Sequence, residues 1–448
     1  MAVKIGVISL GCEKNRIDTE IMLGILADEG YEFVTELADA DIALINTCSF
    51  TNDAKEESIN AILEAEQQKR FGSLKGIIVT GCLPERYRSE LKKLLPRVDG
   101  YLGVTAYKDI AEAVAEVAQG KKYTKYPDLN LIENFDRRFI TTNRPTAYVK
   151  IAEGCDNNCS YCAIPGIRGG YQSRSIEKVI EEIQNLASDG YSEIILIAQD
   201  TTRYGLDLYG ELKLPELLEK AAKIEGVKWL RVLYLYPDED LITHELLDVM
   251  NKNDNIVKYI DMPIQHMDDE VLKLMNRRNS YESIMNIVKK IRSVSDDFVL
   301  RTTVMVGFPG ETREHLKNLT DGLHTAKFDN LGVFTYSQED ETPAAQFKEQ
   351  VDEEEKDFRK EDILSVQTPI SLQMNKKRVG KELDVLIEGI DEHSGYYYGR
   401  SYAQIPEVDG KVLIKTSNEL EMGKFYKVKI TKAYNYDIVG EIIKDQNV

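Results

Sequence analysis

The sequence predicts an α/β multidomain protein with an N-terminal doubly wound parallel sheet, a central partial (β/α)6 barrel and a C-terminal small antiparallel β-barrel. Short apolar runs alternate with helical patterns through most of the chain, as in parallel sheets covered by helices. After about Gly380 the pattern changes to alternating polar and apolar residues, which is typical of a small barrel. The run "YYYGRSYAQIPEV" is one such expected strand. Because 448 residues exceed one ordinary domain, we expect three domains, at residues 1–125, 140–372 and 378–448.

The composition limits the classes of function. The chain has 57 basic and 76 acidic residues, a net charge of −19 and a pI near 4.9. This balance argues against a dedicated nucleic-acid binder, which usually carries a basic field, and it suits a basic protein partner or solubility alone. No stretch approaches the length of a membrane span. The N-terminus lacks the pattern of a signal peptide, so we expect a cytoplasmic protein.

Three cysteines follow short apolar runs in the N-terminal part. Cys12 ends "KIGVISLGC", Cys48 ends "DIALINTC" and Cys82 ends "GIIVTGC". Each run is typical of a buried parallel strand. In a doubly wound sheet, the residues just past the strands gather along one edge, where such sheets bind ligands. We therefore expect the three thiols to meet. The alternative is three unrelated buried cysteines, because free cysteine packs as a small hydrophobe.

The other three cysteines lie in "AEGCDNNCSYCAIPGIRGG", where Cys155, Cys159 and Cys162 have the spacing C-x3-C-x2-C. A closed zinc site needs four ligands. The chain has five histidines, and none lies within eighty residues of Cys162. Thiolates are also the usual ligands of iron–sulfur clusters. Three thiolates on a four-iron cluster leave one iron without a protein ligand, and that iron can hold a reactant.

The C-x3-C-x2-C motif resembles the signature of the radical S-adenosylmethionine (SAM) superfamily. In that superfamily the open iron chelates SAM, and an electron from the cluster breaks the C–S bond of SAM. The barrel pattern agrees with this resemblance, because helical patterns separate six strand-like runs: "TAYVKIAEGC", "EIILIAQD", "WLRVLYLYP", "KYIDMPIQ", "FVLRTTVMVGFPG" and "NLGVFTYSQ". Active sites of such barrels lie at the carboxyl ends of the strands.

Four residues are candidates for contact with SAM. Gln199 directly follows one predicted strand. The resemblance implies that Tyr161 presents its backbone to the adenine and that Arg301 and Gly307 lie near SAM. Each of these residues also has a packing or turn explanation. No catalytic residue is assigned beyond the cluster ligands.

The C-terminal part resembles a TRAM domain, an OB-like module often associated with RNA. Residues 380–448 hold 12 acidic and nine basic residues, which is a weak balance for gripping phosphates. Tyr396, Tyr397 and Tyr398 are able to stack on bases, although such aromatic residues more often fill a strand face. The run "QVDEEEKDFRKED" before this module predicts a solvated helix.

Together these motifs resemble the methylthiotransferase family of radical SAM enzymes over nearly the whole chain. The motifs "SLGCEKNRIDTE", "EGCDNNCSYCAIPGIRGGYQSR" and "AQDTTRYG" resemble the branch that modifies an aspartate of small-subunit ribosomal protein twelve. A departure is Glu13, where many members have proline. The other branch modifies an adenosine in tRNA.

The resemblance implies two 4Fe–4S clusters, SAM and transfer of a methylthio group to the β-carbon of that aspartate. It implies ribosomal protein twelve and a reducing electron donor as partners, with tRNA an unlikely one and no membrane involved. Two alternatives stay open: a tRNA adenosine methylthiotransferase, and a non-catalytic RNA-binding iron–sulfur protein that senses redox state. Formation of 5′-deoxyadenosine from SAM would separate an enzyme from a sensor.

The two cysteine groups predict two separable iron centres. Replacing Cys155, Cys159 and Cys162 by Ala should halve the bound iron and abolish 5′-deoxyadenosine formation. Replacing Cys12, Cys48 and Cys82 by Ala should halve the bound iron but leave SAM cleavage measurable. Iron and 5′-deoxyadenosine are measured on anaerobically loaded protein. A triple variant that keeps all its iron would show that its cysteines are not the ligands.

Overall fold

The structure is a computed structural model, and it describes residues 3–129 and 138–447. Its N-terminal part alternates strands and helices in the following order: β1 (Lys4–Ser9), α1 (Glu13–Asp28), β2 (Glu32–Val34), β3 (Ile42–Thr47), α2 (Asn52–Phe71), β4 (Gly76–Gly81), α3 (Cys82–Leu94), β5 (Gly100–Leu102), α4 (Ile110–Ala118) and β6 (Tyr123–Lys125). The strands form one parallel sheet in the order β2-β1-β3-β4-β5-β6. The central strands β3 and β4 are buried along their whole length. The predicted doubly wound sheet is therefore confirmed.

The central part begins with a strand and a cysteine-containing loop. Its elements are β7 (Thr146–Lys150), β8 (Ala152–Glu153), α5 (Ile164–Arg168), β9 (Gln172–Ser173), α6 (Ile176–Ser188), β10 (Glu193–Ile197), α7 (Leu206–Tyr209), α8 (Leu214–Ala221), β11 (Trp229–Val232), α9 (His244–Lys252), β12 (Tyr259–Asp261), α10 (Asp269–Leu274), α11 (Tyr281–Val294), β13 (Val299–Val306), α12 (Arg313–Ala326) and β14 (Asn330–Thr335). β7, β10 and β11 form one parallel sheet, and β12, β13 and β14 form another. A hydrogen bond of 2.9 Å from Leu235 N to Asp261 O joins the two sheets. The predicted partial barrel is confirmed.

The C-terminal part follows a long helix, α13 (Glu353–Lys376). It consists of β15 (Glu382–Ile390), β16 (Tyr397–Arg400), β17 (Val412–Ile414), β18 (Phe425–Ala433) and β19 (Ile438–Asn447), which close into a barrel in the order β15-β16-β17-β19-β18. The small barrel is confirmed, but its strands are not all antiparallel, because β17 pairs with β19 in parallel. Residues 401–409 also differ from the expected strand, because they form a loop that leaves the barrel.

This loop covers the amino ends of the central strands. Asp409 accepts a hydrogen bond of 2.5 Å from the hydroxyl of Tyr259, the first residue of β12. Ala403 and Ile405 belong to the same buried apolar cluster as residues of the central barrel. The small barrel thus closes the base of the central barrel and leaves the opposite ends of its strands to the cysteine loop.

A buried carboxylate fastens the small barrel to this base. Glu193, the first residue of β10, receives hydrogen bonds from Arg400 Nη2 at 2.7 Å and Arg231 Nη2 at 3.4 Å. All three side chains are almost fully buried. Burial alone would raise the pKa of Glu193, but Arg400 and Arg231 lower it to about 2. The carboxylate is therefore ionised at neutral pH.

Two further expectations concern membrane-spanning helices and the domain boundaries. Within the described residues, no helix is both long and apolar enough to cross a membrane. The division into domains at 1–125, 140–372 and 378–448 stays a prediction. The outer limits of that division, residues 1 and 448, lie outside the described residues.

Removing the carboxylate of Glu193 should destabilise the protein strongly. In Glu193→Ala, Arg231 and Arg400 stay buried without a counter-charge, which costs about 3–5 kcal/mol of unfolding free energy. Urea unfolding followed by circular dichroism measures the loss. Because the pKa of Glu193 falls on folding, the difference from wild type should hold above about pH 4.5 and shrink as the pH falls toward about 2.

The matched control is Glu219→Ala, which removes a pair with Lys223 whose side chains are 43% and 71% exposed. This variant should lose less than about 1 kcal/mol. Equal losses in the two variants would contradict a special role for the buried carboxylate.

Candidate active site

The first three cysteines lie at the ends of three neighbouring strands, β1, β3 and β4. Cys12 is exposed at the start of α1, whereas Cys48 and Cys82 are buried. Burial raises the pKa of the Cys82 thiol to about 12, and the thiols of Cys12 and Cys48 add to that rise, so the three groups are near one another. The structure thus brings these thiols together, and their role as iron ligands stays a prediction.

Two glycines allow this close approach. Gly11 has a φ of +89°, and a Cβ at this position would lie 3.0 Å from the sulfur of Cys48. Gly81 has a φ of +93°, and a Cβ there would lie 2.2 Å from Asn46 Oδ1. Side chains rarely adopt such φ values and would also clash here. The glycines that precede Cys12 and Cys82 therefore keep the strand ends open around the thiols.

The second three cysteines share one loop after β8, between Gly154 and α5. Gly154 has a φ of +74°, and a Cβ there would lie 2.0 Å from Gly170 O, so the two ends of the loop lie against each other. Ser160 N donates to Met275 O at 2.9 Å and anchors the middle of the loop. Burial raises the pKa of the Cys162 thiol to about 12, with contributions from Cys159 and Cys155. These three thiols are also close together.

The surroundings of both groups fit iron–sulfur clusters. Within the described part of the chain, no three Cys, His, Asp or Glu side chains have the geometry to hold a single metal ion. A four-iron cluster is wider than one ion, so its ligand sulfurs stand farther apart. Hydrogen-bond donors point at the sulfurs, which tunes clusters of this kind. They are Asn157 Nδ2 at 3.5 Å from Cys155, Arg277 Nη1 at 3.9 Å from Cys159 and Arg168 Nη2 at 3.6 Å from Cys82.

Arg168 connects the two cysteine groups. It lies on α5, six residues after Cys162, and only 2% of the residue is exposed. Its Nη1 donates to Asp18 at 2.9 Å and to Glu153 at 3.0 Å. Its Nη2 donates to Asn15 Oδ1 at 2.8 Å and faces the sulfur of Cys82. One side chain thus joins the second cysteine loop to helix α1 and to the first cysteine group.

Further charges complete this buried network. Lys150 Nζ donates to Asp18 and to Glu153, at 2.6 Å each. Burial alone would raise the pKa of Glu153, but Arg168 and Lys150 lower it to about 2. Gln199 Nε2 donates to the second oxygen of Glu153 at 2.6 Å. Two cations therefore balance two carboxylates, and Gln199 at the end of β10 shares in the network.

A second contact between the parts lies beside Cys12. Tyr234 follows β11 and has a φ of +63°, which is strained for a residue with a side chain. Its hydroxyl donates to Glu13 Oε2 at 2.8 Å. The ammonium group of Lys14 lies 3.4 Å from the centre of the Tyr234 ring. Strain of this kind concentrates at functional sites.

A third contact lies on the far side of the same junction. Glu339, in the loop after β14, is 2% exposed and pairs with Lys55 Nζ at 2.9 Å and Arg86 Nη1 at 2.8 Å. Both cations come from the N-terminal part, from α2 and α3. Three separate contacts therefore fix the first cysteine group relative to the carboxyl ends of the barrel strands.

The four residues expected near SAM fall into two groups. Tyr161 lies in the cysteine loop, and its hydroxyl accepts a hydrogen bond of 3.2 Å from Arg277. Gln199 lies near the same loop, and its Oε1 is buried without a hydrogen-bond partner in the described residues, which leaves an acceptor for a ligand. Arg301 and Gly307 have structural partners, described next. The contact of all four residues with SAM stays a prediction.

The partners of Arg301 and Gly307 are protein groups. Arg301 Nη1 bonds to Asp261 at 2.9 Å, and its Nε lies 3.6 Å from Asp409. At Gly307, whose φ is +71°, a Cβ would lie 2.2 Å from the side chain of Lys356. These contacts suffice to explain an arginine and a glycine at these positions.

Sequence reasoning missed Arg168, Lys14, Glu13, Tyr234 and Glu339 as site residues. Arg168 lies in the quoted "GIRGG", and Glu13 and Lys14 lie in "GCEKN", so closeness to a cysteine was an available signal for these three. No local pattern distinguishes Tyr234 or Glu339, because their partners lie in distant parts of the chain.

The fold and the two cysteine groups define a radical SAM enzyme. Three family models match the chain: Radical SAM superfamily at residues 149–322, Uncharacterized protein family UPF0004 at residues 4–103, and TRAM domain at residues 379–443. Among solved structures, the fold is similar to a radical S-adenosylmethionine methyltransferase, TsrM, from Kitasatospora setae (TM-score 0.57, 14% identity, 77% of each chain). It is also similar to the cobalamin-dependent radical enzyme OxsB (TM-score 0.52, 11% identity, 82% of this chain and 56% of that one).

The chain belongs to the RimO family of ribosomal protein uS12 methylthiotransferases. It is 45% identical to the RimO protein of Clostridioides difficile (strain 630), over 98% of this chain and 99% of that protein. It is 47% identical to the RimO protein of Clostridium kluyveri, over 98% of each chain. It is also 47% identical to RimO of Clostridium perfringens (strain 13 / Type A), over 99% of this chain and 98% of that protein.

Arg168 and Arg277 should each influence one iron centre. In Arg168→Met, a cation and an N–H donor beside the sulfur of Cys82 are lost, so reduction of a cluster on the first group becomes less favourable. Its midpoint potential should move to more negative values. A redox titration followed by electron paramagnetic resonance measures this shift in a protein whose second cysteine group is replaced by Ala.

The matched control is Arg277→Met in the same background, because Arg277 faces Cys159 and not the first group. It should leave the potential of the first centre unchanged. A potential unmoved in Arg168→Met, or moved equally by both variants, would refute the influence of Arg168.

Proposed function

We propose that this protein adds a methylthio group to the β-carbon of an aspartate in ribosomal protein uS12. The observation that carries the proposal is the buried side chain of Arg168, which bonds across the junction between the two cysteine groups. A reaction that needs both groups at one substrate requires such a fixed arrangement. Membership of the RimO family over the full length of the chain supports the same substrate.

The proposal assigns a cofactor role to each cysteine group. Cys12, Cys48 and Cys82 would hold one 4Fe–4S cluster, and Cys155, Cys159 and Cys162 would hold the other, each with one iron left open. When bound, the clusters and SAM supply the radical that removes the β-hydrogen and the methylthio group that replaces it. Tyr161 and Gln199 would contact SAM, and we keep Arg301 and Gly307 as further candidates.

The residues of the chain provide position and seclusion. A buried network fixes the two cysteine groups at a set separation, and its charges balance. Its members are Arg168, Asp18, Glu153 and Lys150. An unactivated C–H bond has no useful acidity, so no general base is required and none is assigned. The chain must instead hold the substrate still and keep water away.

The partners follow from the chemistry and the charge. A basic ribosomal protein suits a chain with a net charge of −19. A reducing electron donor is needed, tRNA is not expected as a substrate, and a ribosomal substrate would place the protein in the cytoplasm. The C-terminal barrel, with 12 acidic and nine basic residues, would help to hold uS12. The proposal is tested against two alternative functions, a tRNA methylthiotransferase and a non-catalytic redox sensor.

The loaded protein should modify uS12 and not tRNA. Anaerobic incubation with SAM, a reductant and uS12 should release 5′-deoxyadenosine and raise the mass of uS12 by one methylthio group in place of one hydrogen. Fragmentation should locate the mark on an aspartate. A methylthio mark on tRNA adenosine would overturn the choice of substrate, and absence of 5′-deoxyadenosine would overturn the enzyme.

The role of the C-terminal barrel in binding uS12 needs a separate experiment. Deleting the barrel at Gly380 would uncover the base of the central barrel, so the better variant is Glu392→Lys with Glu419→Lys, two exposed acids. This variant should bind uS12 more weakly at low salt. The difference should fade as salt rises, because exposed charges are screened over about 8 Å at physiological ionic strength. Equal binding at all salt concentrations would contradict a role for these two acids in docking uS12.

A further inference from the structure

Lys14 is a buried cation that forms no ion pair among the described residues. Only 9% of the residue is exposed. Its ammonium group lies 3.4 Å from the centre of the Tyr234 ring, and it forms no ion pair and donates no side-chain hydrogen bond among the residues that the structure describes. An aromatic ring offsets part of the cost of burying an ammonium group. The remaining cost calls for an anion.

The acidic groups nearest along the chain are already engaged. Glu13 accepts a hydrogen bond from Tyr234. Asp18 lies between Lys150 and Arg168. Burial alone would raise the pKa of Glu13, but Lys14 lowers it, so the Glu13 carboxylate partly offsets the charge of Lys14. Neither carboxylate forms an ion pair with Lys14, so its N–H donors are left for a ligand.

Lys14 also lies beside the junction between the two cysteine groups. It is two residues after Cys12, and Tyr234 beneath it lies two residues after strand β11, at the carboxyl end of the barrel. The strained backbone of Tyr234, with its φ of +63°, fixes the ring at this point. The ammonium group therefore lies at the junction between the first cysteine group and the barrel edge that bears the second.

We infer that Lys14 binds the side-chain carboxylate of the substrate aspartate and so selects an acidic residue for modification. This inference rests on the proposed function, because it takes the substrate to be an aspartate. A charge-assisted hydrogen bond from Lys14 would hold the carboxylate. The β-carbon, one bond away, would then be held between the two cysteine groups.

Two other cations near the junction, Arg168 and Arg301, are poorer candidates. Arg168 is bound to Asp18, and Arg301 is bound to Asp261. A substrate carboxylate would have to displace a buried protein carboxylate at either arginine, which leaves an uncompensated charge. At Lys14 it displaces none.

The test compares two substrates in each protein variant. Cluster-loaded protein without SAM is titrated with uS12, and with uS12 in which the aspartate modified by the wild-type protein is replaced by asparagine. The wild-type protein should bind the aspartate form about 10- to 100-fold more tightly, as expected for a hydrogen bond to a charged group. Lys14→Met should bind both forms with equal affinity, and Lys14→Arg should keep a preference for the aspartate form.

The matched control is Lys411→Met. Lys411 also lies over a tyrosine ring, 4.0 Å from the centre of Tyr398, but on the exposed C-terminal barrel. This variant should keep the full preference. Iron content is measured for every variant, and the ratio of the two affinities is internal to each protein, so a general loss of affinity does not affect it.

The outcomes separate this inference from the proposed function. If wild-type protein modifies uS12 but Lys14→Met still prefers the aspartate form to the same extent, the inference is wrong and the function stands. Should Lys14→Met fail to fold, loss of the preference in Lys14→Arg would also overturn the inference. If wild-type protein neither binds nor modifies uS12, the proposed function itself fails.

Discussion

The buried guanidinium of Arg168 is the contact on which the arrangement of the site depends. The N-terminal sheet and the central barrel share no strand pairing in the described residues, so side chains must set their relative position. Arginine presents several N–H donors in one plane, and Arg168 uses them on Asp18, Glu153 and Asn15 at once. In an interior of low dielectric such bonds are strong and directional. The separation of the cysteine groups is therefore fixed by charge as much as by apolar packing.

Regular apolar patterns explain why most of the fold could be predicted. Runs such as "DIALINTC" become strands, of which β3 and β4 are buried on both faces. Together with β1 they bring Cys12, Cys48 and Cys82 to one edge. Residues 401–409 show the limit of this reasoning. Their alternating pattern suited a strand, but Ala403 and Ile405 pack on the central barrel instead. A local pattern cannot reveal a partner that is distant in sequence.

The same limit applies to the site. The cysteines could be predicted because their spacing is unusual, whereas a polar residue on a strand has no feature that tells whether it faces a ligand. Gly307 is explained by the packing of Lys356. The acidic run around Lys356 was expected to be a solvated helix. Two of its basic residues are buried instead, and one of them, Arg359, holds Glu311 at 3.0 Å.

The loop of residues 401–409 determines when the base of the central barrel is covered during synthesis of the chain. It covers apolar side chains, such as Trp229 and Tyr259, that are synthesised well before it. Chains fold from the N-terminus as they emerge. The central barrel therefore stays uncovered at its base until the last part of the chain is made, and a translation product that stopped before residue 400 would retain an exposed, aggregation-prone patch.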